Sequence, residues 1–178
     1  TDRSWGMDIL EKNIPEEHIA IFVTFRTYGS WLHGDDRGSI DRYTNRYGQP
    51  RLPPNARRHE AVRKSLRRAS VTLNRDQRRA TRSSIRETCL IRNWTLFAEN
   101  VRTNHVHVVV SATISARRIA AVFKANATRA MRSAGCWTSS DSPWSRGASA
   151  KRVWTELELE AVVRYVVEGQ GADLDGRD

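Results

Sequence analysis

Two histidines, one tyrosine and two oxygen-bearing side chains are the residues of this 178-residue chain best suited to chemistry. His105 and His107 stand in the run Asn104-His-Val-His-Val-Val-Val110. In a strand, residues two apart project from the same face, so the pair presents two imidazoles to one side while Val106, Val108 and Val110 enter a core. Two imidazoles make a two-point clamp for a divalent cation, and the missing ligands must come from another element or from water and substrate. The plain alternative is two solvent-facing histidines on a half-exposed sheet. Their place on the second strand of a hairpin favours the clamp, because a sheet is rigid enough to hold ligands accurately. His18, His33 and His59 have no comparable spacing and read as surface residues.

Tyr165 lies at the edge of the apolar stripe of a C-terminal helix formed by Leu159, Val162, Val163 and Val166. Such a tyrosine is ordinarily a boundary residue, ring packed and hydroxyl wet. A phenol with an ordinary pKa of about 10 needs a neighbour that eases its attack if it is to be a nucleophile. Glu168 and Gln170 are the neighbours within reach, and either could complete a site of two histidines and one oxygen. Helical spacing favours Glu168, one turn from Tyr165. Gly169 is expected to stop the helix, and the chain can then curl to return Gln170 toward the histidines.

The elements that must position these groups follow from periodicity. His18–Arg26 is dense in β-branched and aromatic residues on both faces, as in a central strand. A Gly- and Asp-rich loop, Tyr28–Gly38, follows and should expose its Trp or Arg, and 41–55 reads as a long connection. From about Arg57 to Arg92 the pattern is helical, in two pieces broken near 72–74. Asn74 caps the second, and Val62, Leu66, Ala80, Ile85 and Cys89 face inward. Trp94–Glu99 and His105–Val110 form the antiparallel hairpin. Ser115 opens a helix with Ile119, Val122, Phe123 and Met131 on its buried stripe, and Gly135 closes it. An irregular stretch, 136–150, leads to a short strand at Lys151–Trp154. Thr155 and Glu158 then form a capping box opening the last helix.

Charge narrows the partners. The chain carries a net +10. Residues 51–92 hold thirteen Lys and Arg against three acids, which accounts for the whole excess. All but Lys64 of these are Arg, whose planar fork suits phosphate, so nucleic acid is the leading partner. A solvated basic face on a helical hairpin is the alternative. The length fits one domain over 1–178, with flexible tails at 1–15 and 171–178 and a basic helical region at 51–92. No apolar run approaches a membrane span, and the N-terminus lacks a secretory pattern, so a cytoplasmic, nucleoid-associated location is the expectation and no membrane partner is foreseen. Cys89 and Cys136 show no metal or redox spacing and read as core or idle thiols.

Four blocks in order resemble one family: Thr24-Phe-Arg-Thr-Tyr-Gly-Ser-Trp-Leu32 with Gly34-Asp35 and Arg37-Gly38, then Asn104-His-Val-His107, Trp144-Ser-Arg-Gly147 and Arg164-Tyr-Val-Val-Glu-Gly-Gln170. They resemble the single-tyrosine HUH transposases, closest to the REP-associated tyrosine transposases of the IS200-like superfamily. The resemblance implies an α+β fold of HUH endonuclease type, a ferredoxin-like antiparallel sheet with helices packed on it. It also implies a DNA transposase acting as a single-strand endonuclease and strand transferase, with a divalent cation, Mg2+ or Mn2+, held by His105, His107 and a third oxygen ligand. That family typically places an Asn or Gln four residues after the tyrosine; here Gly169 holds that position, Gln170 follows it, and Gln170 is favoured over Glu168 by residue type. A proline is usual where His33 stands.

By the same resemblance Tyr165 attacks phosphorus, leaving a 5′-phosphotyrosine and a free 3′-hydroxyl. The implied partner is single-stranded DNA with a hairpin, bound by a monomer or homodimer. Expected DNA contacts are Arg26, Thr27, Tyr28, Trp31 and Arg37 from the first block, Arg63, Lys64, Arg67, Arg78 and Arg82 from the basic region, and Arg118 and Lys124 from the helix after Ser115. Three other readings compete: a non-catalytic nucleic-acid-binding domain derived from this family, a relaxase-like nicking enzyme, and an RNA-binding ferredoxin-like domain. The last needs exposed aromatics on two strands, whereas Phe22 and Phe97 look suited to the core.

Overall fold

A computed structural model describes residues 18–36, 38, 52–171 and 174. The expected tails at 1–15 and beyond 171 (Leu174 apart), most of the 41–55 connection and Arg37 lie outside the described residues. In chain order the elements are β1 (Ala20–Thr27), α1 (Ala56–Lys64), α2 (Arg75–Ile91), β2 (Thr95–Val101), β3 (His105–Ser111), α3 (Ala116–Ser133), β4 (Trp144–Val153) and α4 (Glu156–Glu168). The strands form one antiparallel sheet in the order β2-β3-β1-β4, with helices packed on it. This is the ferredoxin-like α+β architecture expected from the sequence.

β1 is central because its side chains are buried on both faces. Ile21, Val23 and Phe25 stand opposite Val110, Val108 and Val106 of β3. All six join Ile85, Cys89, Ile119, Phe123 and Met131 in a core under α2 and α3. On the other face Ala20, Ala98, Val109 and Val153 pack with Leu159 and Val166 of α4 in a smaller cluster. The period-2 alternation along β3 thus sends Val106, Val108 and Val110 to the larger core, and His105, His107 and Val109 to the face that carries α4.

Local signals explain the helix starts. Asn74 and Gln77 bond each other's backbone in a reciprocal capping box. Thr155 accepts from the Glu158 backbone, but the Glu158 carboxylate reaches the N–H of Trp154 rather than that of the cap residue. Ser115 stands at the N-cap of α3 without a side-chain bond.

Three expectations need correction. Val62 and Leu66 are only half-buried, and α1 buries no residue, because it docks on the 28–38 loop rather than on the sheet. Gly34 permits that docking: it has φ +91, and a Cβ there would fall 2.4 Å from the Asn55 carbonyl oxygen. The chain between the helices is the buried part instead, with Val71 and Leu73 tied by backbone bonds to Tyr28 and Thr103.

Second, β4 begins at Trp144, not at Lys151. It is an edge strand exposed along most of its length, so Gly147-Ala-Ser-Ala150 needs no apolar alternation. Third, Phe97 is exposed, because the β2–β3 pairing skips it between Leu96 and Ala98 and leaves it on a bulge; Phe22 is half-buried.

Candidate active site

His105 and His107 lie on the α4 face of β3, their ring centroids 4.7 Å apart. Each ring is fixed by its other nitrogen. His107 Nδ1 lies 2.7 Å from the hydroxyl of Thr24, its cross-strand partner on β1. His105 Nδ1 lies 2.7 Å from the side-chain oxygen of Asn104. An amide oxygen only accepts, so with Asn104 in this orientation Nδ1 of His105 carries the proton and Nε2 presents a lone pair. Partners of this kind on the non-ligating nitrogen are what hold metal-binding histidines in place.

The C-terminal helix brings the next groups. Tyr165 is half exposed and stands over His107 at a centroid distance of 5.8 Å, with Phe22 edge-on to it at 6.1 Å. Asn100, opposite His107 across the sheet, donates to the Val166 carbonyl at 2.9 Å and pins α4 to β2 beside the tyrosine. Gly169 caps α4 and lies so close to the preceding turn that a Cβ would fall 2.7 Å from the Tyr165 carbonyl oxygen. The chain turns there and brings the Gln170 amide oxygen to 3.3 Å from His105 Nε2. Of the two oxygen candidates, Gln170 reaches the histidines, whereas Glu168 is exposed.

This donor set fits a divalent cation. His105 Nε2 and the Gln170 oxygen are both lone-pair atoms facing each other at 3.3 Å, an arrangement that a cation between them relieves. Among the described residues no three His, Cys, Asp or Glu converge on a metal site; the oxygen that faces His105 Nε2 is the amide of Gln170. Burial, followed by the charges of His105 and Arg26, pushes His107 down to about 4 against an opposing bond from Gln170, so its imidazole is neutral at pH 7. Neutral imidazole is the ligating form. The cysteines stay out: burial, then Glu99, pushes the Cys89 thiol up to about 11, and burial raises Cys136.

The expected DNA contacts divide by what their heads touch. The Arg26 guanidinium lies 3.6 Å over the Trp31 ring, whose N–H donates to Gly38. The Tyr28 hydroxyl accepts from the Arg67 backbone while Arg68 covers its ring. Arg63 and Lys64 are exposed beside Glu60, Arg67 and Arg118 are exposed, and Arg82 is half-buried. Thr27 is buried and donates to the Asn104 carbonyl.

Arg78 is buried, with a guanidinium nitrogen donating to the Leu73 carbonyl. Lys124 donates to three backbone carbonyls, those of Ser145, Arg146 and Gly147. These last two cations hold the chain together. Thr24, Asn100 and Asn104 escaped the sequence reading as site residues; only strand register shows the first two, whereas Asn104 adjoins the pair it orients.

The sequence model of the family described as "Transposase IS200 like" matches residues 58–169, which is more than half of the chain. The chain belongs to the IS200-like transposase family. The match takes in His105, His107 and Tyr165 and ends one residue before Gln170. Membership supports a transposase or nuclease-like role on DNA, and metal use goes with the family. Among curated proteins no match was found. Among solved structures, a crystal structure assigned as a transposase from Deinococcus radiodurans R1 is similar at 13% identity and TM-score 0.43, covering 97% of this chain and 98% of that one. Among the described residues no helix of this IS200-like protein is long and apolar enough to cross a membrane.

Proposed function

We propose that this protein, acting as one domain, cuts and rejoins single-stranded DNA beside a hairpin through a covalent bond to Tyr165. The observation that carries the reading is convergence: β3, the end of α4 and the turn after it bring two imidazoles, a phenol and an amide oxygen to one polar face. His105, His107 and Gln170 would hold Mg2+ or Mn2+, which when bound supplies charge to polarise a phosphate.

Tyr165 Oη attacks the phosphorus, the bond from phosphorus to the 3′ oxygen breaks, the phenolic proton passes to solvent, and the leaving 3′ oxygen takes a proton from solvent. The products are a 5′-phosphotyrosine and a 3′-hydroxyl. Attack by the 3′-hydroxyl of another end reverses the step and rejoins strands without ATP, because the ester keeps the energy of the broken bond. Thr24 and Asn104 keep the imidazoles oriented, and Phe22 and Asn100 keep the phenol over them. The exposed cations of 51–92 and Arg118 bind DNA phosphates.

The test is adduct formation on a hairpin-bearing single strand with Mn2+, read on a denaturing gel. Wild type should form a protein–DNA adduct; Tyr165→Phe should form none while binding the hairpin with unchanged affinity. Replacing both histidines by Ala should likewise abolish the adduct. A wild type that binds the hairpin and never links to it would make the chain a non-catalytic DNA-binding member of its family.

A further inference from the structure

Arg26 is set at the site with more care than a general DNA contact needs. Register places it opposite His105 on β1, on the face that also carries Thr24 and both histidines. Beside it the β1–β4 pairing breaks: Phe25 pairs with Ala148 but Thr27 with Trp144, so Ser145, Arg146 and Gly147 bulge out of β4 next to Arg26. Bulges are common beside active sites, where they re-aim side chains.

This bulge is braced from both sides. Its three carbonyls converge on the Lys124 ammonium, and the Ser145 hydroxyl donates to the Arg26 carbonyl. The guanidinium itself lies over Trp31, its Cζ 3.6 Å from the ring centroid, and that ring is tied to the Gly38 carbonyl. An aromatic face holds a guanidinium in place, and a guanidinium carries five N–H donors, enough to serve more than one acceptor.

A fixed positive charge here is unfavourable for a bound cation and for any protonated histidine. It is favourable for an anion. Phosphoryl transfer spreads negative charge over the non-bridging oxygens, and a preorganised fork is a strong partner for them.

We propose that Arg26 is a catalytic residue that binds a non-bridging oxygen of the scissile phosphate, with Trp31 and the Lys124-braced bulge as its positioning elements. This rests on the cleavage reading above and goes further by assigning the group that meets the phosphate charge.

The experiment compares hairpin oligonucleotides carrying either a phosphodiester or a neutral methylphosphonate at the scissile linkage, with Mn2+, under single-turnover conditions. On the phosphodiester, Arg26→Ala should slow adduct formation about 100- to 1,000-fold with little change in hairpin affinity, and on the methylphosphonate the difference from wild type should shrink to about threefold. Arg26→Lys, which keeps the charge without the stacked fork, should fall between and guards against a folding defect in the alanine variant. Trp31→Leu should lose less than Arg26→Ala and show the same dependence on the linkage. Equal losses on both linkages, or no loss on either, overturn the assignment while leaving the cleavage reading intact. A wild type that forms no adduct on the phosphodiester overturns both.

Discussion

The two faces of the sheet do different work with the same strands. Under α2 and α3 the face is dry and closed, built from Val23, Phe25, Val106, Val108 and Phe123, all fully buried. Under α4 only part is covered, by Leu159 and Val166, and the remainder carries Thr24, Arg26 and the histidine pair. One face supplies most of the stability, so the other can keep polar groups in an open, partly hydrated arrangement that would be costly as a core.

The separation can be attacked from the closed side first. Phe123→Ala leaves a cavity against Trp94 and should cost about 3–5 kcal/mol in denaturant unfolding, with adduct chemistry preserved in the fraction that remains folded. If its cost were under about 1 kcal/mol, the closed face would not be the main source of stability.

On the open face the histidine gives an acid signature. Burial holds His107 near 4, below its ordinary 6.5, so between those values the unfolded chain takes up a proton that the native state refuses. Stability is therefore full above pH 6.5 and falls as pH drops toward 4, by up to about 1.4 kcal/mol per pH unit from this group. His107→Leu should flatten that slope in metal-free protein, measured by urea unfolding from pH 7 to 4.

Lys124→Met tests a contact between the two sides, since α3 belongs to the closed face and the bulge it braces flanks the open one. Losing donors to three carbonyls should cost about 1–3 kcal/mol and raise amide exchange around 144–148. The smallest effect should come from Asn100→Ala, about 1 kcal/mol by thermal unfolding, with faster exchange in the last turn of α4 and slower adduct formation.

Much of this was legible in the sequence wherever the signal was local. The His-x-His pair, its valine neighbours and the α4 stripe follow from periods of 2 and 3.6. The return of Gln170 follows from a glycine placed where a helix must stop. The rest depends on partners distant in the chain. Most of β4 was hidden because an edge strand with both faces exposed has no pattern to show. Val71 and Leu73 looked like a break between helices, and their burial comes from bonds to Tyr28 and Thr103. Arg78 and Lys124 read as DNA contacts because charge shows in sequence and the carbonyls that accept from them do not.

The turn at Gly169 also has a kinematic meaning. Its N–H bonds the Tyr165 carbonyl, and the Gln170 amide nitrogen lies 3.4 Å from the same oxygen, so phenol and amide travel as one piece. A swing of α4 away from β3 would withdraw both together and leave two imidazoles behind. The backbone at 165–170 therefore sets phenol and amide as a single unit against the imidazoles of β3.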